Sequence, residues 1–368
     1  MITQALREVE ESDKALAAAF ERRLDAIKVI AEYRREHGIP VPAEPDGGER
    51  AQELSAVITD AEKRPYYMSF FQGALSASEK YHRRIMQGVR VAYTGVKGAF
   101  ANIAASRIFP DGEMVSYPDF AASYTAVERG ECDCAVLPIE NSYAGEVGQV
   151  IELMFSGTLY IGGVYSLRVK HNLLGLRGAT PSGVKKVVSH PQALHQCAPY
   201  IQAHGYECIQ ETNTAVAAQR VAEGGDPTVA AIASAETAKL YGLEVLDHDI
   251  NESGDNTTRF AVFSRTPNID EDHRDRSRFL LMFILQNVPG ALASAINVIS
   301  SYGFNMKVIR SRPIKEPAWE YYFYVEAEGD EESENGRRMI SELRQHCRVL
   351  KVVGHYSDDI RLGASSII

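Results

Sequence analysis

The chain has 368 residues, a formal net charge of −10 and five cysteines, with no C-x-x-C pair. That length predicts two or three domains whose cores need no disulfide or metal to fold. The acidic balance argues against a nucleic-acid or anionic-membrane partner. No apolar run approaches the roughly 18 residues of a membrane span, and the start lacks the apolar core of an export signal, so a cytoplasmic protein with reduced thiols is expected. In chain order, residues 2 to 37 read as one helix, because Leu6, Val9, Leu16, Phe20, Leu24, Ile27 and Ile30 mostly recur at three- or four-residue steps. Gly38 and Pro40 stop it, and a Pro/Gly loop follows over 41–48. Two further helices are predicted over 49–63 and 66–87, with Pro65 between them. The first helix would be about 50 Å long. Three helices of such unequal length make a poor monomeric core, so an intertwined dimer is expected here.

From residue 89 the pattern alternates. Apolar runs at 89–93, 134–138, 160–169, 187–189, 228–232 and 260–264 are separated by helical stretches at 101–109, 119–129, 191–203 and 214–223. That predicts α/β structure with mostly parallel strands, folded as two lobes flanking a cleft. A charged linker follows over 266–277, and then a strand–helix–strand–strand–helix–strand order up to residue 356, which is ferredoxin-like. Residues 361–368 are expected to fray. The fold expected is therefore multidomain: an all-α helical segment over 1–87, a two-lobed α/β segment over 88–265 and an α+β ferredoxin-like segment over 278–357.

Several short motifs stand at strand ends or helix starts. They are Gly95-Val96-Lys97-Gly98-Ala99-Phe100, Pro138-Ile139-Glu140-Asn141-Ser142, Ser189-His190-Pro191-Gln192-Ala193-Leu194, Asn213-Thr214-Ala215 and Asn256-Thr257-Thr258-Arg259-Phe260. In open α/β sheets ligands bind beyond the carboxyl ends of strands, so these motifs suit one shared cleft. Arg259 can fork two hydrogen bonds onto a carboxylate, and Thr258 can give or take a proton. Each also has a plain structural reading. Arg259 can pair internally with Glu140 or Asp255, Glu140 can sit as an acid at a helix N-terminus, and Asn141, Ser142, Asn213 or His190 can cap helices. The backbone N–H groups of the glycine loop at 95–98 can face a carboxylate. No H-E-x-x-H, G-x-x-x-x-G-K-[ST] or G-x-G-x-x-G pattern occurs, so neither metal nor cofactor is expected.

In this order the motifs resemble the prephenate dehydratase family. The resemblance implies a two-lobed, periplasmic-binding-protein-like domain that converts prephenate to phenylpyruvate. Thr258 would assist the departing hydroxyl and Arg259 would anchor a carboxylate, with Glu140 and Asn141 beside them. Gly98, Ala99, Ser142, Ser189, Thr214 and Phe260 would contact substrate. Val96 stands where the family usually has proline, and Ala101 where it has a hydroxyl-bearing residue. That leaves the loop's backbone contacts but not its side-chain ones.

The C-terminal segment, with Pro289-Gly290-Ala291-Leu292, Arg310-Ser311-Arg312-Pro313 and Trp319-Glu320-Tyr321, resembles the ACT regulatory domain of the same enzymes. It implies L-phenylalanine as effector at a dimer interface, near Gly290, Ala291, Leu292, Arg310, Ser311, Arg312 and Pro313. Arg310 replaces the family's glutamate. The front segment is similar to all-helical chorismate mutase, which implies chorismate as a further substrate and a mutase site at Arg7, Arg23, Arg34, Glu49, Ser78 and His82. Leu6, Ala43, Gly47 and His82 depart from that pattern. A homodimer or a dimer of dimers is expected. Two other readings stand beside this one: a dehydratase whose helices only dimerise, and a non-catalytic small-molecule sensor.

Overall fold

The computed structural model describes residues 2–36, 54–252, 254–267, 277–314, 321–357 and 360–363. They fall into two compact units, one of residues 1–90 with 111–113 and the other of the remaining chain. In the first unit α1 (Ile2–Glu36) packs on α2 (Arg64–Gln87). Phe20, Leu24 and Ile27 are half-buried and Ala31 is fully buried, an i, i+4, i+7, i+11 stripe. The N-terminal half of α1 projects free of α2, with Leu6, Val9 and Leu16 all at least half exposed. The helix expected over 49–63 is described only from Leu54 and ends at Ser55, short of residue 63. There, helical backbone is limited to Leu54, Ser55 and a 3-10 turn at Ala61–Lys63, whose Glu62 N–H is captured by the Asp60 side chain. A local side-chain bond of that kind competes with helix propagation. The stop at Gly38 and Pro40, the loop over 41–48 and Glu49 lie outside the described residues.

The first lobe of the second unit is built from β1 (Arg90–Thr94), α3 (Phe100–Ile108), β2 (Glu113–Tyr117), α4 (Phe120–Glu128), β3 (Cys134–Asn141), β4 (Gly145–Glu146), α5 (Gly148–Ser156) and β5 (Tyr160–Arg168). The chain then crosses into a second lobe of β6 (Asn172–Gly175), β7 (Lys186–Ser189), α6 (Pro191–Gln196), α7 (Ala198–His204), β8 (Glu207–Gln210), α8 (Thr214–Gly224), β9 (Val229–Ala233), α9 (Ala235–Tyr241) and β10 (Glu244–Asp247). It returns as β11 (Thr257–Ser264), inserted between β5 and β3 in the first sheet. The expectation of mostly parallel strands needs correction. β1 with β3, and β7 with β8 and β9, are parallel, but β11 runs antiparallel to both its neighbours. A strand that re-enters from the opposite lobe arrives from the other end of the sheet. The helix expected over 191–203 divides at Cys197, because Pro199 has no N–H to continue the ladder and opens a second helix instead.

The rest is β12 (Ser277–Leu285), α10 (Ala291–Ser301), β13 (Asn305–Pro313), β14 (Tyr321–Glu328), α11 (Glu334–His346), β15 (Cys347–Ser357) and β16 (Ile360–Arg361). The last of these pairs with β5, so the expected fraying does not begin at Arg361. The four-stranded sheet has the order β13-β14-β12-β15. Strand alternation gives it two apolar faces. Phe279, Leu281, Phe283 and Val325 pack with Val298 and Met339 of α10 and α11. Leu280, Met282, Tyr322, Tyr324 and Val353 join one core with Ile151, Met154 and Ile161 of the first lobe. Gly354 makes that approach possible, since a Cβ there would lie 2.4 Å from the Ile161 carbonyl oxygen. Lys351 adds a polar tie, donating to the Met154 carbonyl at 2.6 Å and to that of Gly157, at the C-terminal end of α5 where free carbonyls favour a cation.

Candidate active site

A cavity of about 190 Å³ lies between the two α/β lobes, and Thr258, Asn141, Thr214 and Ala99 line it. β11 leaves the second lobe at Asn256 and pairs Thr258 with Asn141 across the sheet, which brings the ends of β11 and β3 together. Thr258 is 9 % exposed and Asn141 8 %. The Asn141 Oδ1 accepts the backbone N–H groups of Tyr143 (3.0 Å) and Ala144 (2.9 Å). That fixes its amide nitrogen as the donor to Asn256 Oδ1 (2.8 Å) and Thr258 Oγ1 (2.9 Å). Asn256 must then turn its own nitrogen to Gln196 Oε1, at 3.0 Å. Gln196 Oε1 also faces His171 Nε2 at 2.9 Å, so that ring nitrogen carries the proton. Two backbone donors thus set the polarity of a chain of five side chains without any assumption about hydrogen positions.

The consequence falls on Thr258. Its oxygen already accepts from Asn141, so its own O–H is left to point into the cavity. Burial disfavours the charged form of both cavity histidines, pushing the pKa values of His171 and His190 down. His190 Nδ1 accepts the Gln192 N–H at 3.2 Å, which is the capping role open to it from sequence. Asn213 lines the cavity and also caps α8 through the Val216 N–H at 2.8 Å. Among the described residues that line the cavity, no side chain carries a fixed charge. The lobes are tied on either side of it. Thr237 Oγ1 donates to the Gly98 carbonyl (2.9 Å) and Tyr241 to that of Lys97 (3.1 Å), while Tyr143 meets His195 Nδ1 at 3.2 Å.

Several expected contacts are not brought to this cavity. Arg259 follows Thr258 in a strand and therefore points to the opposite face. Its guanidinium reaches Glu140 at 3.0 Å, forks onto Glu326 at 3.1 Å to each oxygen and meets Tyr356 at 3.3 Å. The internal ion pair open to Arg259 from sequence is present, and Glu140 lies with it on the far side. Gly98 donates its N–H to Asn102 Oδ1 at 3.0 Å and gives its carbonyl to Thr237, so its backbone is used within the protein. Ser189 is fully buried and bonds the Ile232 carbonyl at 2.6 Å. Ser142 laces the β3–β4 turn to Asp255 and Thr257, and Phe260 is 2 % exposed in the interior. Asn256, Gln196 and His171 were not singled out as site residues from sequence. The first two lie inside quoted motifs or beside them. His171 had only the weak signal of a polar residue just beyond an apolar run.

Some of the residues expected at the other two sites are brought together. In the helical unit Arg23 Nε donates to Ser78 Oγ at 2.9 Å, and Arg34 approaches His82 at 3.5 Å. Burial and the charge of Arg34 lower the His82 pKa. Arg7 is exposed on the free half of α1. In the C-terminal module a pocket of about 300 Å³ is lined by Ala291, Leu292 and Ser311, with Phe323, Tyr321 and Arg348. Gly290 takes the left-handed conformation, φ 84°, that opens α10. Arg310 and Arg312 flank Ser311 on β13 and face away from the pocket, onto Glu140 and Glu146. The charge reversal at Arg310 therefore bears on the junction with the first lobe. Pro313 ends the strand and is not among the described residues lining the pocket.

Residues 91–268 match the prephenate dehydratase family. An arogenate dehydratase/prephenate dehydratase of Arabidopsis thaliana is 34 % identical over 323 residues, covering 85 % of this chain and 83 % of that one. A bifunctional chorismate mutase/prephenate dehydratase of Aquifex aeolicus is 29 % identical, covering 95 % of this chain and 96 % of its own. Among solved structures, prephenate dehydratase of Arthrobacter aurescens in complex with L-Phe superposes with a TM-score of 0.68 at 25 % identity, over 73 % of this chain and 90 % of that one. A protein described as GqqA, a novel type of quorum quenching acylase, gives 0.67 at 31 % identity, over 73 % and 97 %.

Proposed function

Because the chain belongs to the prephenate dehydratase family, we propose that its cleft removes carbon dioxide and hydroxide from prephenate to give phenylpyruvate, with Thr258 as the group that receives the departing oxygen. The bond from the ring to its carboxylate breaks and its electron pair enters the ring. The carbon–oxygen bond on the opposite ring carbon breaks as the ring becomes aromatic, and the hydroxide leaves. Aromatisation drives the reaction, so the protein has to orient a dianion and stabilise one leaving oxygen. A threonine hydroxyl is too weak an acid to hand over its proton early. Its help comes through a hydrogen bond aimed at the place where charge develops.

The observation that carries this reading is the donor bond from Asn141 to Thr258. It also weighs against acyl transfer, the chemistry suggested by the acylase neighbour. A nucleophilic threonine needs a base to take its proton, and Asn141 instead donates to the oxygen. A sensor would need anchors but no directed O–H.

The helical unit is read as a chorismate mutase, supported by the meeting of Arg23 with Ser78 and Arg34 with His82, and by the bifunctional relative. The exposed apolar half of α1 supports a second copy of the chain as its partner. The C-terminal module is read as an ACT domain that binds L-phenylalanine beside Ala291, Leu292 and Ser311. The phenylalanine complex of the Arthrobacter enzyme supports that reading.

One assay separates the readings. Pure protein is given prephenate, arogenate or chorismate, and phenylpyruvate and phenylalanine are followed, with and without added phenylalanine. No product from prephenate or arogenate sinks the dehydratase. Product from prephenate but not from chorismate leaves the helices as a dimerisation unit. Turnover unaffected by phenylalanine sinks the effector reading.

A further inference from the structure

We propose that Arg310 and Arg312, two residues of the C-terminal module, are positioning residues for the catalytic hairpin of the first lobe, holding Asn141 in place through Glu140 and Glu146. The proposal rests on the dehydratase reading of the Thr258 cavity. Glu140 and Glu146 face each other across the base of the β3–β4 hairpin, and Asn141, Ser142, Tyr143 and Ala144 make its tip. β4 is two residues long and, among the described strands, pairs with β3 alone. A hairpin that short is not stable by itself.

The clamp supplies what the ladder does not. Arg310 spans both carboxylates, 2.7 Å to Glu146 and 2.5 Å to Glu140. Arg312 Nε closes on the second Glu146 oxygen at 2.8 Å, and the second Glu140 oxygen takes Arg259. Every carboxylate oxygen at the hairpin base thus has a guanidinium partner. Glu146 is 12 % exposed and Glu140 22 %, so the carboxylates are the more shielded half of the clamp, with Arg310 and Arg312 each about one-third exposed. Gly148 leaves the room that Arg312 needs, for a Cβ there would come within 2.9 Å of its guanidinium. Burial pushes the Glu140 carboxyl up, but the hydrogen bonds and charges of Arg310 and Arg259 outweigh it and hold the pKa below the usual range.

Displacing the hairpin base moves the tip, and the tip carries the N–H groups that orient Asn141. Losing that orientation releases the Thr258 proton from its aim. On the same strand, Ser311 looks into the 300 Å³ pocket. The strand that lines that pocket therefore also carries the two residues that grip the hairpin.

The test compares the full chain with Arg310→Ala, Arg312→Ala and Arg310→Lys, and with Arg338→Ala as a surface control on α11. Phenylpyruvate formation from prephenate gives kcat and KM, and hydrogen exchange is followed on the peptide covering 139–147. Arg310→Ala is expected to lower kcat by about 10- to 100-fold, with KM changed less than about threefold. Exchange in the hairpin is expected to quicken while the rest of the lobe keeps its protection. Arg310→Lys recovers part of the loss, since an ammonium reaches one carboxylate but cannot fork onto two, and the control behaves as the parent. Parent-like kcat, or unchanged hairpin exchange, in both alanine variants overturns the proposal. So does a loss of activity that merely follows the folded fraction, with lysine no better than alanine. If the parent itself makes no phenylpyruvate, the dehydratase reading fails, and the hairpin exchange still decides the clamp.

Discussion

Thr258 and Arg259 are consecutive residues of one strand, yet they look into opposite environments. On the Thr258 side the cavity is lined by amides, hydroxyls and two imidazoles, and five of these side chains form a network in which Asn141 donates to Thr258 and Asn256 while Gln196 accepts from Asn256 and His171. On the Arg259 side a cluster of guanidiniums, carboxylates and phenols fills the junction with the C-terminal module. The difference teaches that one strand can give its charged side chain to the scaffold and its dipolar one to the cavity. The comparison breaks most directly at Thr258. Thr258→Ala is expected to cut kcat by about 10³- to 10⁴-fold with KM little changed and the melting temperature kept, and Thr258→Ser to recover much of the loss. Equal losses in affinity alone would place Thr258 among simple binding groups.

The mirror-image experiment lies on the other face. Glu326 is 1 % exposed and takes two bonds from Arg259 and one from Tyr324. Glu326→Ala removes both bonds of the forked pair from that guanidinium in a buried setting, and is expected to cost about 3–5 kcal/mol of stability. Chemical denaturation measures it, and activity per folded molecule should fall far less than in Thr258→Ala. A variant as stable as the parent would show that Glu326 is not part of a buried ion cluster. Asn141→Asp sharpens the comparison within the cavity. It keeps the shape but replaces the donor by an acceptor, so the Thr258 hydroxyl turns toward the carboxylate and away from substrate. A fall in kcat of about 100-fold is expected, and steady-state kinetics at constant pH reads it.

Much of this architecture was legible from periodicity. The apolar alternation marked β1, β3, β5, β7, β9 and β11, and the four strands and two helices of the C-terminal module, because each buries a regular face. What was missed has local causes. β2, β8 and β10 carry exposed or half-exposed residues, so their pattern is weak. The direction of β11 depends on a chain that leaves the sheet for about 90 residues and returns, which no local pattern encodes. For the site, residue types pointed to Thr258 and Asn141 but grouped Arg259 and Glu140 with them. The two-residue period of a strand already separates 258 from 259, and applying it strictly would have placed the arginine on the far face. The role of Arg310 depends on which lobe packs against β13, a tertiary fact that sequence spacing does not carry.

The smallest expected effect separates the two regions by the sign of their pH response. His355 on β15 meets Glu331 at 3.1 Å, and that hydrogen bond raises its pKa above the ordinary 6.5 despite the opposing effect of burial; Glu331, Asp330 and Glu332 add their charges. The folded state therefore binds the proton more tightly than the unfolded one. The stability from this pair is fully present below 6.5 and is lost as pH rises through the folded value. His171 in the cleft behaves in the opposite way. Burial lowers its pKa from 6.5, so the unfolded chain binds the proton more tightly and stability is lost as pH falls from 6.5 through the folded value. Denaturation midpoints of the parent, His355→Gln and His171→Gln, taken from about pH 5 to about pH 8, read both signs. The advantage of the parent over His355→Gln should shrink as pH rises. Its advantage over His171→Gln should shrink as pH falls. Profiles of the same sign would show that the cleft histidine is not held neutral.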